Sequence, residues 1–432
     1  MSIPAPDSPA TQDNPADSLP SPRSSRIVLA ATIGNTLEWF SLGAYTLFAD
    51  VLAKQFFPAT DPAVSLMLAF ASVAVAYLIR PFGGMILGSY ADRAGRKAAL
   101  VWSIRIMAVA SLLIAVMPNY ATIGIAAPIG LVFANLLQGF SAGGEFGSAT
   151  AYLVESNRKR RGFMGSWGAA SQGLSTLLGI VFAAVLSAVL TDQQLGSWGW
   201  RIPFAFGLLI APIGYYIRRH VEESPAFEED SAGTPLREVL RSQKTRILVA
   251  MGAMAVSTAI SYLIIYMPTF AIRNLGLPKS LAFTTTIVTQ LVLTVLAPVA
   301  GRLSDRTGRI PLMAAACSVM LLAIFPLFLA LNSQPTFAVM TAVMAAIGLV
   351  KVWYVGPLGT MMADVFPTRT RATGLSVSYN ITASLFGGFT PLVVIWLIEV
   401  TGSNLAPSYY VMALAVLSLA ALVFARKRLR VR

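Results

Sequence analysis

Apolar runs of about 18 residues or more recur along the whole of this chain, each long enough to cross a hydrocarbon core of ~30 Å. They leave little room for any other solvent. Only 12% of the 432 residues are charged and 56% are hydrophobic, with a mean hydropathy of +0.69; soluble domains carry roughly a quarter charged residues. Twelve membrane-length segments begin near Ile27, Ala63, Ala98, Thr122, Gly162, Trp198, Thr245, Leu281, Pro311, Thr336, Arg371 and Leu405. Backbone groups in lipid must bond within their own segment, so each run reads as a helix; the ~10-residue alternating strands of a barrel are missing. The expected fold is an all-α membrane protein of 12 transmembrane helices.

The single His220 and single Cys317 leave no material for a metal cluster, a disulfide framework or a serine–histidine catalytic apparatus. No phosphate loop of the form GxxxxGK[ST] is present. An enzyme is therefore not expected, and neither a cofactor nor a metal. The net charge of +13 suggests nucleic acid until its distribution is traced. With the N-terminus inside, 25 of the 32 Lys and Arg fall on inner stretches and four (Lys54, Arg201, Arg273, Lys279) on outer ones. That bias puts both termini in the cytoplasm, and the charge serves topology and anionic headgroups of the bilayer rather than nucleic acid.

The chain repeats itself. "GSYADRAGRK" after the second segment and "GRLSDRTGRI" after the eighth share the pattern GxxxDRxGR, offset by 213 residues. "ESNRKRRG" after segment four and "DVFPTRTRATG" after segment ten form a weaker pair. Two six-helix halves follow, with a binding site near the midplane between them. The boundaries read as a disordered cytoplasmic tail over 1–26, bundles over 27–218 and 245–425, a cytoplasmic linker over 219–244 with a short amphipathic helix, and a basic tail over 426–432. One such chain suffices as a functional monomer.

Eight strings in order, "TIGNTLEWF", "RPFGGMILGSYADRAGRK", "LLQGFSAGGEFG", "RKRRGFMGSW", "WGWRIPF", "EESPAF", "FPTRTRATGLSVSYNI" and "FGGFTP", resemble the metabolite:proton symporter family of the major facilitator superfamily. The resemblance covers nearly everything after the tail. It implies a rocking symporter in a bacterial inner membrane, from a family whose members carry citrate, 2-oxoglutarate, shikimate or proline and betaine.

Candidate residues fall into two groups. Gly88, Asp92, Arg93 and Arg96, with Gly301, Asp305, Arg306 and Arg309, place small residues and opposite charges at inner helix ends, where they can latch the cytoplasmic face. Glu155 with Arg161, and Asp364 with Arg371, are expected to join this gate; the alternative for all of them is topological charge. The second group lines the pathway. Gly34, Glu38, Ser41 and Tyr45 share one helix stripe, so Glu38 faces protein or a water-filled cavity, as a substrate or proton group or as a structural carboxylate. Lys351 lies deep in segment ten beside Trp353, placed for a substrate carboxylate, for a pair with Glu38, or for the interface. Glu145 is a second protonatable candidate, beside a Gly139, Gly143, Gly147 stripe that reads as close packing. Gln138, Tyr262, Tyr379 and Asn380 complete the polar set. The family pattern has Asp and Arg where this chain has Ser41 and Asn135. If those positions face each other, losing both avoids a buried unpaired charge, but it removes two groups that would otherwise be assigned to coupling.

The expected function is secondary transport of a small carboxylate-bearing metabolite, with a proton as the second partner. A zwitterion carrier, an uncoupled facilitator and a non-transporting sensor on the same scaffold are the alternatives.

Overall fold

The computed structural model describes residues 22–94, 96–155, 157, 159–209, 212, 235–277 and 279–431. The stretch before Pro22 and most of the linker, with His220, lie outside the described residues. The first six segments form α1 (Pro22–Leu47), α2 (Pro62–Ala94), α3 (Arg96–Val116), α4 (Ala126–Glu155), α5 (Arg161–Val189) and the described start of α6 (Arg201–Gly207). The second six form α7 (Lys244–Leu275), α8 (Lys279–Thr307), α9 (Arg309–Ser333), α10 (Phe337–Val365), α11 and α12 (Ala406–Arg428). α11 is composite: Arg371–Thr382, a π-helical turn over Ala383–Gly388, then Thr390–Thr401. Among the described residues nine helices are long and apolar enough to span a membrane, and Val101–Val116 is a shorter apolar stretch. The first helix begins at Pro22, inside the stretch read from sequence as tail. The linker helix is Pro235–Ser242, with Val239 buried.

In the first group α2 packs on α4, α1 on α5 and α3 on α4. In the second, α8 and α9 pack on α10, and α7 and α9 on α12. Between them α5 lies along α8 and α10, while α11 lies in the groove of α2 and α4. Glycine makes that groove. A Cβ at Gly139 would strike the Ala76 carbonyl and one at Gly143 the Arg80 carbonyl, so α4 and α2 meet backbone to backbone; Gly147, one turn on, takes α11 at the Ala372 carbonyl.

The outer surface is apolar, with Leu322 76% and Leu248 66% exposed. Large apolar side chains face out on α2 to α5 and on α7 to α12, which fits lipid as the solvent. Pro268, Pro298, Pro326 and Pro357 lie inside helices, which packed membrane helices tolerate. Gly308, at φ 89°, makes the turn between α8 and α9, a conformation a side chain would strain. It is the second glycine of the GxxxDRxGR repeat.

Candidate functional site

One end of the interface, the end bearing the GxxxDRxGR loops, is shut by charge. Arg371 at the start of α11 lies 2.8 Å from Glu155 at the end of α4. Arg161 at the start of α5 lies 2.7 Å from Asp364 at the end of α10, and Arg309 sits 3.1 Å from the same carboxylate. The partners are exchanged relative to the sequence expectation: each acid pairs with the arginine of the opposite bundle, because helix ends from different bundles abut there. Asp305 does more than pair with Arg309 at 3.5 Å. Its two oxygens accept from the backbone N–H groups of Gly162 (2.7 Å) and Phe163 (3.0 Å), so a carboxylate from α8 caps the first turn of α5. Gly162 and Gly301 face each other so closely that a Cβ on either would meet the other's carbonyl. Arg306 stands exposed, and Gly88 is buried near Ser376. The side chains of Asp92, Arg93 and Arg96 lie outside the described residues, as do those of Glu38 and Glu145.

Further along the interface the two groups meet through aromatic and amide contacts. The Tyr262 hydroxyl of α7 donates to the Tyr77 hydroxyl of α2 at 2.5 Å. The rings meet edge to face, 5.6 Å between centroids. The π-helical turn of α11 seats this pair: Gly387 lies against the Tyr262 ring and Gly388 against Tyr77, where side chains would press on both. Ser384 donates to the Tyr77 carbonyl at 2.5 Å, and Asn380 donates to the Gly143 carbonyl at 2.6 Å. Tyr379 stacks on Phe146 of α4 at 3.5 Å and meets Trp39 of α1 edge on.

Arg80 lies at the centre of this cluster. It is 1% exposed. Its guanidinium carbon is 4.9 Å from the Trp39 ring centroid and 4.7 Å from that of Tyr77. Trp39 is held in place by its own donation to Asn35 (3.1 Å), and Asn35 donates to Ser171 of α5 (2.5 Å). Arg80 also lines a small cavity with Tyr45, Val73, Ala76, Tyr77, Asn135 and Gln138. There the Tyr45 hydroxyl meets Ser72 at 2.6 Å, and Asn135 donates to the same Ser72 at 3.2 Å. Gln138 donates to Ser111 at 3.5 Å. Ser41 points elsewhere, donating to the Leu37 carbonyl and lying against Gly207 of α6. Ser41 and Asn135 thus have different neighbours, and the suggestion that they face one another is not met.

Arg80 was not among the candidate residues read from the sequence. Its signal was the spacing Tyr77–Arg80, i to i+3 on one helix face, at a depth from which no snorkelling arginine reaches the surface. Arg105, another arginine within an apolar run, is exposed and lies 5.5 Å from the Trp102 ring centroid.

Lys351 sits at the middle of α10, 5% exposed, and donates to the Ser261 hydroxyl of α7 at 2.7 Å. Trp353 is partly buried against the second bundle's core, and Tyr354 turns into that core to donate to the Ala253 carbonyl. α7 shows where the open space lies. Between Gly252 and Ala271 its partly exposed positions are Ser261, Tyr262, Ile265 and Thr269, one stripe rising away from the shut end. On α1, Trp39, Gly43, Thr46 and Leu47 form the matching stripe, and a Cβ on Gly43 would meet nothing within 4 Å. A vestibule therefore opens opposite the charged latch and ends at Tyr77–Tyr262.

Two helical groups closed by charge at one end and open at the other, with a buried arginine where they meet, are the architecture of a secondary transporter. Residues 29–391 match the family model described as Major Facilitator Superfamily, and the chain belongs to that superfamily. It is 34% identical over 406 residues to a citrate-proton symporter of Klebsiella pneumoniae, covering 93% of this chain and 91% of that protein. It is 36% identical to a putative proline/betaine transporter of Staphylococcus aureus (strain COL), covering 93% and 88%, and 32% identical to the proline/betaine transporter of Escherichia coli (strain K12), covering 91% and 82%. Among solved structures, the proton:xylose symporter XylE bound to 6-bromo-6-deoxy-D-glucose superposes with a TM-score of 0.80 at 18% identity, over 95% of this chain and 96% of that one, a likeness of fold. The twelve-helix fold expected from sequence is the fold of this superfamily, and the chain is a multi-pass membrane transporter.

Proposed function

We propose that this chain carries a small carboxylate-bearing metabolite by proton symport, and that Arg80 is the carboxylate anchor. The observation that carries the reading is the guanidinium seated between Trp39 and Tyr77 where the halves meet. A planar guanidinium stacked against aromatic faces suits a carboxylate, the group whose geometry it recognises best. Citrate, proline and betaine, the solutes in the relatives' names, all carry that group. The aromatic faces favour an anion over a betaine. Trp39 and Tyr77 already hold a cation, and Tyr379 and Phe146 cover each other, so little aromatic face is left for a quaternary ammonium.

Glu38, on the turn that presents Trp39, is the proposed proton carrier, with Glu145 as the second candidate. Gly88, Asp92, Arg93, Arg96, Glu155, Arg161, Gly301, Asp305, Arg306, Arg309, Asp364 and Arg371 are the proposed gate, and 27–218 and 245–425 the two rocking bundles. The basic latch end faces the cytoplasm of a bacterial inner membrane, by the excess of Lys and Arg there. The chain works as a monomer in the bilayer. Solute enters the vestibule from outside, binds at Arg80 and leaves when the latch parts. The experiment is uptake of labelled carboxylates into proteoliposomes under an imposed proton gradient. Arg80→Gln abolishes uptake, and Glu38→Gln exchanges solute across the membrane without accumulating it. Accumulation that survives collapse of the proton gradient would overturn the coupling, and betaine uptake untouched by Arg80→Gln would overturn the anchor.

A further inference from the structure

Arg105 stands on a helix face that otherwise meets lipid. The exposed positions of α3 beyond its first turn are Trp102, Arg105, Val109, Leu112 and Val116, one stripe along the helix, while Ile104, Met107, Ala110 and Ile114 are buried behind it. Val101–Val116 is an apolar stretch, and the cation interrupts it. Arg105 lies nine residues past the helix start at Arg96, ~14 Å of helix from the latch end.

The protein supplies no anion for it. α3 contains no acid, and among the described residues no carboxylate pairs with Arg105. Its guanidinium lies instead against Trp102, one turn nearer the latch end. Helix side chains lean toward their N-terminus, so the arginine leans that way too. The charge thereby comes to the level of Trp102, six residues past Arg96, or ~9 Å of helix. The interfacial layer of a bilayer is about 5–7 Å deep on each side, and tryptophan favours its inner edge. A guanidinium at that depth meets headgroups before it meets bulk water. The fold does not demand the pair. The 213-residue repeat that aligns Arg96 with Arg309 places Ala315 and Ser318 of α9 where Trp102 and Arg105 stand. Both are exposed on the same face, and α9 carries no charge after Arg309.

We propose that Arg105 and Trp102 form a docking site for one anionic phospholipid of the leaflet at the latch end, its phosphodiester on the guanidinium and an acyl chain along Val109 and Leu112. Guanidinium and phosphate pair through two parallel hydrogen bonds, and stacking on Trp102 holds the planar group in place. The headgroup is of the phosphatidylglycerol kind, because no acid stands on α3 to receive the ammonium of a zwitterionic one. The site is independent of which solute the transporter carries.

The test is native mass spectrometry of the purified full-length transporter, stripped of lipid in detergent and titrated with dioleoylphosphatidylglycerol. The first lipid binds tightest, and Arg105→Gln weakens that step about tenfold, the loss of one charge-assisted contact. Trp102→Leu weakens it about threefold. Arg105→Lys, which keeps a point charge on a similar stem, falls between wild type and Arg105→Gln. Arg426→Gln removes an equal charge from the exposed end of α12 and leaves the first step unchanged. Dioleoylglycerol, which has the chains without the phosphate, binds wild type and Arg105→Gln alike. Melting temperatures stay level, because both side chains face outward. An unchanged first step in Arg105→Gln overturns the proposal. So does an equal loss in Arg426→Gln, which would make the effect one of net charge. A dimer that Arg105→Gln dissociates, with lipid binding unchanged, would assign the counter-ion to an acid of a second copy and overturn the lipid site.

Discussion

Arg371 and Glu155 form a 2.8 Å ion pair across the interface between the two halves, and Arg371 is also tied to its own half by a 3.0 Å bond from Nε to the Ala363 carbonyl. The guanidinium is thus fixed in the second bundle before it meets the first. Both side chains are mostly buried, 11% and 14% exposed. Removing one partner leaves the other charge buried without compensation, at about 3–5 kcal/mol for well-buried pairs and less at this exposure. Glu155→Gln shifts the resting population toward the state in which this end is open. Spin labels at the exposed positions Lys159 and Arg302 report the longer distance, and the exchange Glu155→Arg with Arg371→Glu restores the shorter one. Unchanged distances in Glu155→Gln would show that the pair does not hold the halves.

Two glycines one turn apart separate folding from closure. Gly143 faces the Arg80 carbonyl of its own bundle, while Gly147 faces the Ala372 carbonyl and Ser376 of α11. Gly143→Val forces α2 and α4 apart, an overpacking cost of typically 1–3 kcal/mol or more, and lowers yield and melting temperature. Gly147→Val leaves the bundle folded but denies α11 its seat, so transport falls while stability holds. Equal loss of stability in both variants would contradict this division.

Open space at Gly43 and the exposed stripe of α7 predict a labelling pattern. In a Cys317→Ala background, Gly43→Cys and Thr269→Cys react with an impermeant maleimide added outside, and bound solute slows the reaction. Thr360→Cys, buried at the latch where Thr360 donates to the Arg161 carbonyl at 3.0 Å, reacts far more slowly. Labelling of Thr360→Cys alone would place the vestibule at the wrong end.

Arg80 needs its shape as well as its charge. Arg80→Lys keeps a cation but loses the planar fork and much of the stacking on Trp39 and Tyr77, contacts of roughly 0.5–2 kcal/mol each. KM for the solute rises about tenfold or more with kcat less affected. Initial-rate uptake over a range of solute concentrations measures the split, and a variant with unchanged KM would remove Arg80 from the binding site.

Much of this was legible in the residues. Apolar length alone marked the long helices, and the described starts at Pro62, Arg161, Lys244 and Arg371 fall within one residue of the positions read from sequence. The repeated GxxxDRxGR marked the end that the latch occupies. The pairing within it was not legible, because which helix ends abut is set by the packing of bundles and not by any local pattern. Arg80 was missed for a related reason. Depth in a segment can be counted, but the face a helix turns toward its partner depends on rotation that one sequence does not encode locally. The same limit undid the facing of Ser41 and Asn135, which lie on helices that do meet but point to different neighbours.

Asp305 completes a helix that belongs to the other half of the molecule. Whenever the halves separate at this end, the opening peptides of α5 surrender their acceptor and must find water. The resting state is therefore favoured by main-chain hydrogen bonding as well as by ion pairs, and only the ion-pair share fades as salt is raised. High ionic strength should loosen this end without springing it.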